Sequence, residues 1–455
     1  MKFERNGPCA RNARYLGVLS AGAGVALLLG VGGVLAASAP SFAPARAYGT
    51  GLWPVSVATG DLNGDHRPDL ATANSSANSI SVLLNRGDGS FQVKRDYRTG
   101  PLPRSVAIGD LNGDGRQDLA AVNGREGSNS VSVLVNSGDG TFRDAADYAT
   151  GDEPASLAIG DLNRDGRPDL ATANVGANSV SVLLNRGDGS FEARREYQAG
   201  LFPRSVAIGD LSGDRRPDLA IASSGGNRVS VLLNAGDGGF EPKRDYKTGQ
   251  VPSSIAIGDL NGDGRPELAT ANALAKSVSV LVNEGDGTFE PKVDYGTSSE
   301  PRSIAIGDLN GDGTPDLAAA NYLAKRISVL LNRGDGRFQA KLDYATAGRG
   351  TTDSVAISDL DGDGNADLAS TNSVNSVSVL LSTPGLCTVQ NVKGQILANA
   401  KRTIARANCR VGRIRRTHSR VEQGRVLSQK PKFGAVLTRG GKVNVVVSSG
   451  PRAKP

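Results

Sequence analysis

The stretch Asp110-Leu111-Asn112-Gly113-Asp114-Gly115-Arg116-Gln117-Asp118 decides how this chain is read, because its frame recurs seven times. Side-chain oxygens fall at positions 1, 3, 5 and 9, and Gly115 at position 6 allows the positive φ that lets them converge. The other copies carry Asp61, Asn63, Asp65, Asp69; Asp161, Asn163, Asp165, Asp169; and Asp210, Ser212, Asp214, Asp218. They continue with Asp259, Asn261, Asp263, Glu267; Asp308, Asn310, Asp312, Asp316; and Asp359, Asp361, Asp363, Asp367. Carboxylates, a side-chain amide and the carbonyl of position 7 make an all-oxygen set that suits Ca2+ and offers Zn2+ nothing soft. A plain polar turn needs Asp-Gly, but it does not need carboxylates at positions 1 and 9. The reading is up to seven calcium ions, one per repeat.

The loop-opening aspartates at 61, 110, 161, 210, 259, 308 and 359 lie 49, 51, 49, 49, 49 and 51 residues apart. A period of that size with several short strands per unit is the mark of a β-propeller. In the second unit, strands are expected at 105–108, 119–122, 131–135 and 142–148, the last two joined by the turn Gly138-Asp139-Gly140. The final unit stops near 381–383 without a fourth strand, whereas residues 42–51 line up with 91–100. The amino-terminal strand should therefore complete the last blade and hide both sheet edges. The expected fold is all-β, a seven-bladed propeller over 40–382. Few aromatics and many Gly and Ala predict a core of small and β-branched side chains.

Residues 1–39 read as a signal peptide or an N-terminal anchor: Lys2, Arg5, Arg11 and Arg14 precede an apolar run over 16–37. Cys9 lies ahead of that run, the wrong place for a lipoprotein cysteine. Cleavage is expected before Phe42, which would spare the closing strand. The rest is placed outside the cytoplasm, secreted or associated with the cell envelope, where calcium is plentiful.

After a linker at 383–386 the composition shifts. From 386 to the end, 16 Lys and Arg face one acid, Glu422, a net of +15; residues 42–385 carry 32 basic and 44 acidic side chains, a net of −12. Seven Ca2+ would bring that −12 to about +2. Within 387–450, Ile396, Leu397, Ala400, Ile404 and Ala407 form a helical stripe, and Val443, Val445 and Val447 alternate as a strand. Residues 451–455 are a short tail.

The Gly-Asp-Gly turns, Phe142 with its equivalents, and the aspartate loops together resemble FG-GAP/VCBS-type repeats, the family that includes the integrin α propeller. The resemblance implies calcium at the loop residues named above, and it leaves function open. Gly394, Gly412, Gly424, Gln429, Pro431, Gly434 and Ser448 resemble a PASTA domain, a small α+β fold, with Gln390-Asn391 replacing a familiar proline. That likeness implies an extracytoplasmic domain docking on a cell-wall polymer or muropeptide. Cys387 and Cys409 sit at its first strand and after its helix, and in an exported chain they are expected to form a disulfide.

Alternating strands put the aspartate loops and the Gly-Asp-Gly turns on one face of the ring. The opposite connections vary between copies, and Trp53, Arg104, Phe202, Arg204, Arg302 and Tyr322 on them are the candidate surface for a glycan or protein ligand. Arg86-Gly87-Asp88, Arg186-Gly187-Asp188 and Arg333-Gly334-Asp335 spell an adhesion tripeptide, but other copies replace the Arg with Ser137, Ala235 or Glu284, so turn chemistry accounts for it. No nucleophile with a base stands outside the repeat, and His66 and His418 are far apart. The expectation is a monomeric binding module and not an enzyme, with a polysaccharide lyase or hydrolase, or a spacer without ligand, as alternatives. Export argues against nucleic acid as the partner of the basic tail. Among the loops, the fourth (Ser212, and Arg215 at position 6) is expected to bind calcium most weakly and the seventh, with Asp361, most tightly.

Overall fold

The computed structural model describes residues 39–125, 128–383, 387–407, 409–437 and 441–451. The leader at 1–38, the linker residues 384–386 and the tail at 452–455 lie outside the described residues, as does the side chain of Cys387.

Residues 46–380 form seven four-stranded antiparallel sheets. The second, for example, runs Pro103–Gly109, Asp118–Arg125, Ser128–Leu134 and Ala146–Ala149 in spatial order. The last is completed from the other end of the chain: Arg46–Gly49 pairs with Ser376–Leu380, in register from Arg46↔Val379 to Gly49↔Ser376. The first strands of successive sheets pack on one another, and Pro54–Gly60 also packs on Thr352–Ser358, so the sheets close into a propeller-like ring. The expected strand at 142–148 is shorter than the pattern suggested. Phe142 makes only a single bridge to Asn136, and regular pairing begins at Ala146.

Small side chains let the sheets approach each other. Leu119, Ala120, Ala121 and Val122 are all fully buried, since successive residues face the neighbouring sheets on opposite sides. Each first strand but the last ends in a glycine facing an isoleucine of the next sheet; a Cβ built on Gly160 would stand 2.9 Å from Ile208 Cγ2.

Two repeated contacts clasp neighbouring sheets. Seven Tyr–Phe pairs meet edge to face at 4.8–5.3 Å, and the circle closes with Phe42 against Tyr344. The second contact is an amide latch. Asn185 Nδ2 donates to Leu111 O in the preceding sheet's loop (2.8 Å) and to Pro168 O in its own (2.7 Å), while its Oδ1 accepts from Gly187 N (2.7 Å). Asn85, Asn136, Asn234, Asn283 and Asn332 repeat the reach to the preceding loop. In the last sheet Ser382 stands at this position, and its buried Oγ has no hydrogen-bond partner.

Beyond the ring, Leu397–Arg406 forms a helix beside a three-stranded sheet in which Gly441–Ser448 runs between Cys409–Thr417 and Val426–Lys430. Ala400, Ile404, Val443, Val445 and Val447 are buried together with Val389 and Val392. Ile396 departs from the expected stripe: it caps the helix in extended conformation and is exposed.

The latch predicts two opposite effects. Asn185→Ala should cost about 3 kcal/mol, because two carbonyls and an amide N–H lose their partner. Ser382→Asn should stabilise the ring by about 1 kcal/mol by supplying the missing amide. Denaturant unfolding of both variants checks the pair of signs.

Candidate functional site

The aspartate loops are held by their own carboxylates. In the first, Asp61 accepts from Gly64 N and His66 N, both at 2.7 Å, and the remaining loops except the third repeat this pairing with positions 4 and 6. Those amides point inward because positions 4 and 6 both have positive φ. Position 6 was expected to do so, and His66 (+63°) and Arg215 (+66°) adopt the left-handed backbone despite their side chains. Position 4 was not anticipated: Gly64, Gly113 and their equivalents share this backbone, and in the third loop Arg164 takes it at +62°.

Position 9 is the structural anchor. Asp69, Asp118, Asp169, Asp218, Asp316 and Asp367, with Glu267, are fully buried. Each accepts the N–H of the leucine at position 2, at 2.7–3.1 Å. Each also accepts the N–H of the latch residue, Asn85 in the first sheet (2.7 Å) and Ser382 in the last (2.6 Å). Burial raises these carboxyls despite the hydrogen bonds: Asp69 and Asp169 to about 6, Asp367 to about 7 and Asp316 to about 8, with nearby loop aspartates adding to the effect.

Positions 3 and 5 differ between loops. Asn63, Asn112, Asn163 and Asn261 donate through Nδ2 to the position 5 carboxylate. Arg67, Arg116, Arg167 and Arg216 at position 7 pair with that same carboxylate. The sixth and seventh loops have Thr314 and Asn365 in place of the Arg. In the seventh, oxygens of Asp359, Asp361 and Asp363 lie within 4.8 Å of one another, a spacing that fits one hard cation. From the C-terminal domain, Arg410 Nη2 reaches the main-chain oxygen of Asp363 at 3.5 Å, while the three carboxylates accept N–H groups of their own loop, from Gly362, Asp363, Gly364 and Asn365.

On the opposite face, Trp53 and Phe202 are about half exposed, 49% and 51%. Arg302 and Tyr322 come together: the guanidinium lies 3.2 Å from the ring centre and also pairs with Asp353 at 2.9 Å, a partner the repeat pattern did not single out. Arg104 and Arg204 occupy the position equivalent to Arg302 in the second and fourth sheets. Arg204 is exposed by area, yet the protein around it desolvates its charge and lowers its pKa, with Arg104 and Arg302 adding repulsion and Glu153 opposing it. In the C-terminal domain, Arg413, Arg415, Lys430 and Asn444 line an open cavity of about 560 Å³.

The FG-GAP-like repeat family model matches six overlapping windows, 61–121, 110–172, 161–221, 210–270, 259–319 and 308–370. A PASTA domain is matched at 388–449. The chain belongs to the FG-GAP-like repeat proteins and carries a C-terminal PASTA domain. Among solved structures, a chain of the BBS1N–ARL6DN complex soaked with lead superimposes with TM-score 0.55 at 11% identity, covering 76% of this chain and 98% of that one. A catalytically inactive virginiamycin B lyase from Staphylococcus aureus with quinupristin gives 0.53 at 12% identity, covering 75% and 99%. At these identities the likeness concerns the fold alone.

The raised carboxyls set a pH dependence in the metal-free protein. Each of these aspartates keeps its proton in the fold at a pH where the unfolded chain, with the ordinary value of 3.8, has lost it. The unfolded state then binds fewer protons, so stability falls as pH rises from about 4 until the highest folded value, about 8, is passed. In EDTA the melting temperature should drop between about pH 5 and about pH 8.5. A cation bound to the ionised form would flatten or reverse that slope.

Proposed function

We propose that this protein is an exported binding module: a seven-bladed β-propeller held by calcium at its aspartate loops, docked on the cell wall by its α+β PASTA domain, and offering the face opposite the loops to a ligand. The observation that carries the calcium reading is the seventh loop, where three carboxylates converge without an arginine at position 7. Asp359, Asp361, Asp363 and Asp367 would hold the ion there, and the equivalent residues elsewhere. Bound calcium supplies positive charge and no reaction chemistry. The ranking from tightest seventh to weakest fourth site follows from the fourth carboxylate in one and from Ser212 and Arg215 in the other.

Wall docking is supported by the PASTA match and by the cavity lined by Arg413, Arg415 and Lys430 on a domain of strongly positive charge. Association with an anionic wall polymer follows from that charge, without a role for nucleic acid. The partner is a muropeptide or another wall polymer, and the protein acts as a monomer without catalytic activity. Insoluble cell wall should retain the protein at low salt and release it at about 0.5 M salt. The triple variant Arg413→Ala/Arg415→Ala/Lys430→Ala should not be retained, and wall turnover by the bound protein would point to the lyase or hydrolase reading instead. EDTA should lower the melting temperature of the propeller by more than about 5 °C.

The same export predicts a disulfide between Cys387 and Cys409. Cys409 is buried at the start of its strand, and Cys387 opens the small sheet with Val436–Leu437. Intact mass before and after reduction should differ by two hydrogens.

A further inference from the structure

Large apolar side chains are unevenly distributed over the ring. Of those described as exposed between residues 40 and 382, Leu52, Trp53, Leu201, Phe202, Leu274, Leu323 and Val374 all lie on the connections opposite the aspartate loops. Only Val93, two residues before an outer strand, and Val293, the first residue of one, lie elsewhere among the described residues. Trp53 and Phe202 also sit where the backbone resists them. Their φ values are +57° and +52°, a left-handed conformation that Gly or Asn adopts with ease and that costs other residues about 1 kcal/mol. Stability alone would not select an exposed aromatic there. The turn itself imposes this backbone, since Leu102, Glu153 and Val251 share it at the equivalent position; what sets Trp53 and Phe202 apart is a large aromatic surface turned to solvent there.

The second residue of the first strand gives this face its charge. It is Arg104, Arg204 and Arg302 in the second, fourth and sixth sheets, and Val55, Ala155 and Ser253 in the first, third and fifth. Because first strands pack side by side around the ring, these positions form one circle. Arg302 is already committed to Asp353 and Tyr322. Among the described residues, Arg104 and Arg204 have no ion-pair partner within 4.0 Å, although the charges of Arg104, Arg302 and Glu153 act on Arg204. Two guanidiniums without an ion-pair partner, on the same circle of first-strand positions, are complementary to planar carboxylates, which they bind through paired N–H donors. Phe202 stands two residues before Arg204, resting over Gly225.

We propose that this face binds an acidic polysaccharide, with uronate carboxylates on Arg104 and Arg204 and the apolar faces of sugar rings on Trp53 and Phe202. The proposal rests on the reading of this face as the ligand surface. An acidic peptide would satisfy the arginines but would make no use of flat, rigid platforms spaced around them, whereas a uronic acid presents a carboxylate and a flat C–H face in every residue.

Calorimetry on the full chain, at one fixed free calcium concentration, compares an oligoglucuronate with its carboxyl-reduced form and with polyglutamate. The oligoglucuronate should bind at least about tenfold more tightly than either. Arg104→Ala/Arg204→Ala and Trp53→Asn/Phe202→Asn should each weaken it by about tenfold or more without lowering the melting temperature, since asparagine suits the left-handed backbone. Arg413→Ala/Arg415→Ala/Lys430→Ala should remove only a weaker, salt-dependent phase of binding and keep the tightest site. Equal binding of the reduced form, or tighter binding of polyglutamate, overturns the acidic-glycan assignment while loss in the face variants still upholds a ligand surface. Affinity that follows only the PASTA variant, or no binding of any probe, overturns the proposal. If the face variants also retain every ligand recovered from cell wall, the ligand-surface reading falls with it.

Discussion

A buried carboxylate at the end of each aspartate loop is the constraint on which the ring depends. Asp169 is fully buried, yet it takes an N–H from Leu162 in its loop and another from Asn185 in the latch. Asn185 in turn reaches Leu111 in the preceding loop. One chain of hydrogen bonds thus runs from sheet to sheet through the loops, so that loop geometry and ring closure are a single problem. Burial makes the charge on Asp169 costly even with two donors. On the proposed reading, a cation beside it answers that cost, and the loops act as braces between sheets.

The two faces then have different work. The aspartate face is nearly uniform because every loop must satisfy the same hydrogen bonds. The opposite face carries no such obligation, and its connections differ in length, charge and apolar content. On the proposed reading, this division lets an FG-GAP-like ring keep its architecture while the face offered to a ligand changes.

Much of the fold was legible because the repeat is nearly exact. Lining up 42–51 with 91–100 was enough to place the closing strand, and the pairing Arg46↔Val379 bears it out. The position 6 turn could be read from Gly115. Position 4 could have been read as well, since Gly113 and its equivalents recur, but Arg164 in the third loop concealed the requirement. The amide latch was hidden for a different reason: Asn185 and Leu111 are 74 residues apart, and nothing local in either segment marks the other. Arg302 and Asp353 lie on the first strands of sheets six and seven and Tyr322 on a connection of sheet six, and Asp353 joins the other two only because those sheets adjoin. Ile396 fitted the helical stripe by spacing but lies one residue before the helix, where the backbone is still extended.

The closing strand also governs the order of events in biosynthesis. Arg46–Gly49 is among the first ring segments made, yet its only strand neighbour, Ser376–Leu380, emerges last. Folding cannot simply follow synthesis from one end to the other. A partly translated chain has an open edge and no seal, so the ring can close only once its final strand has been made.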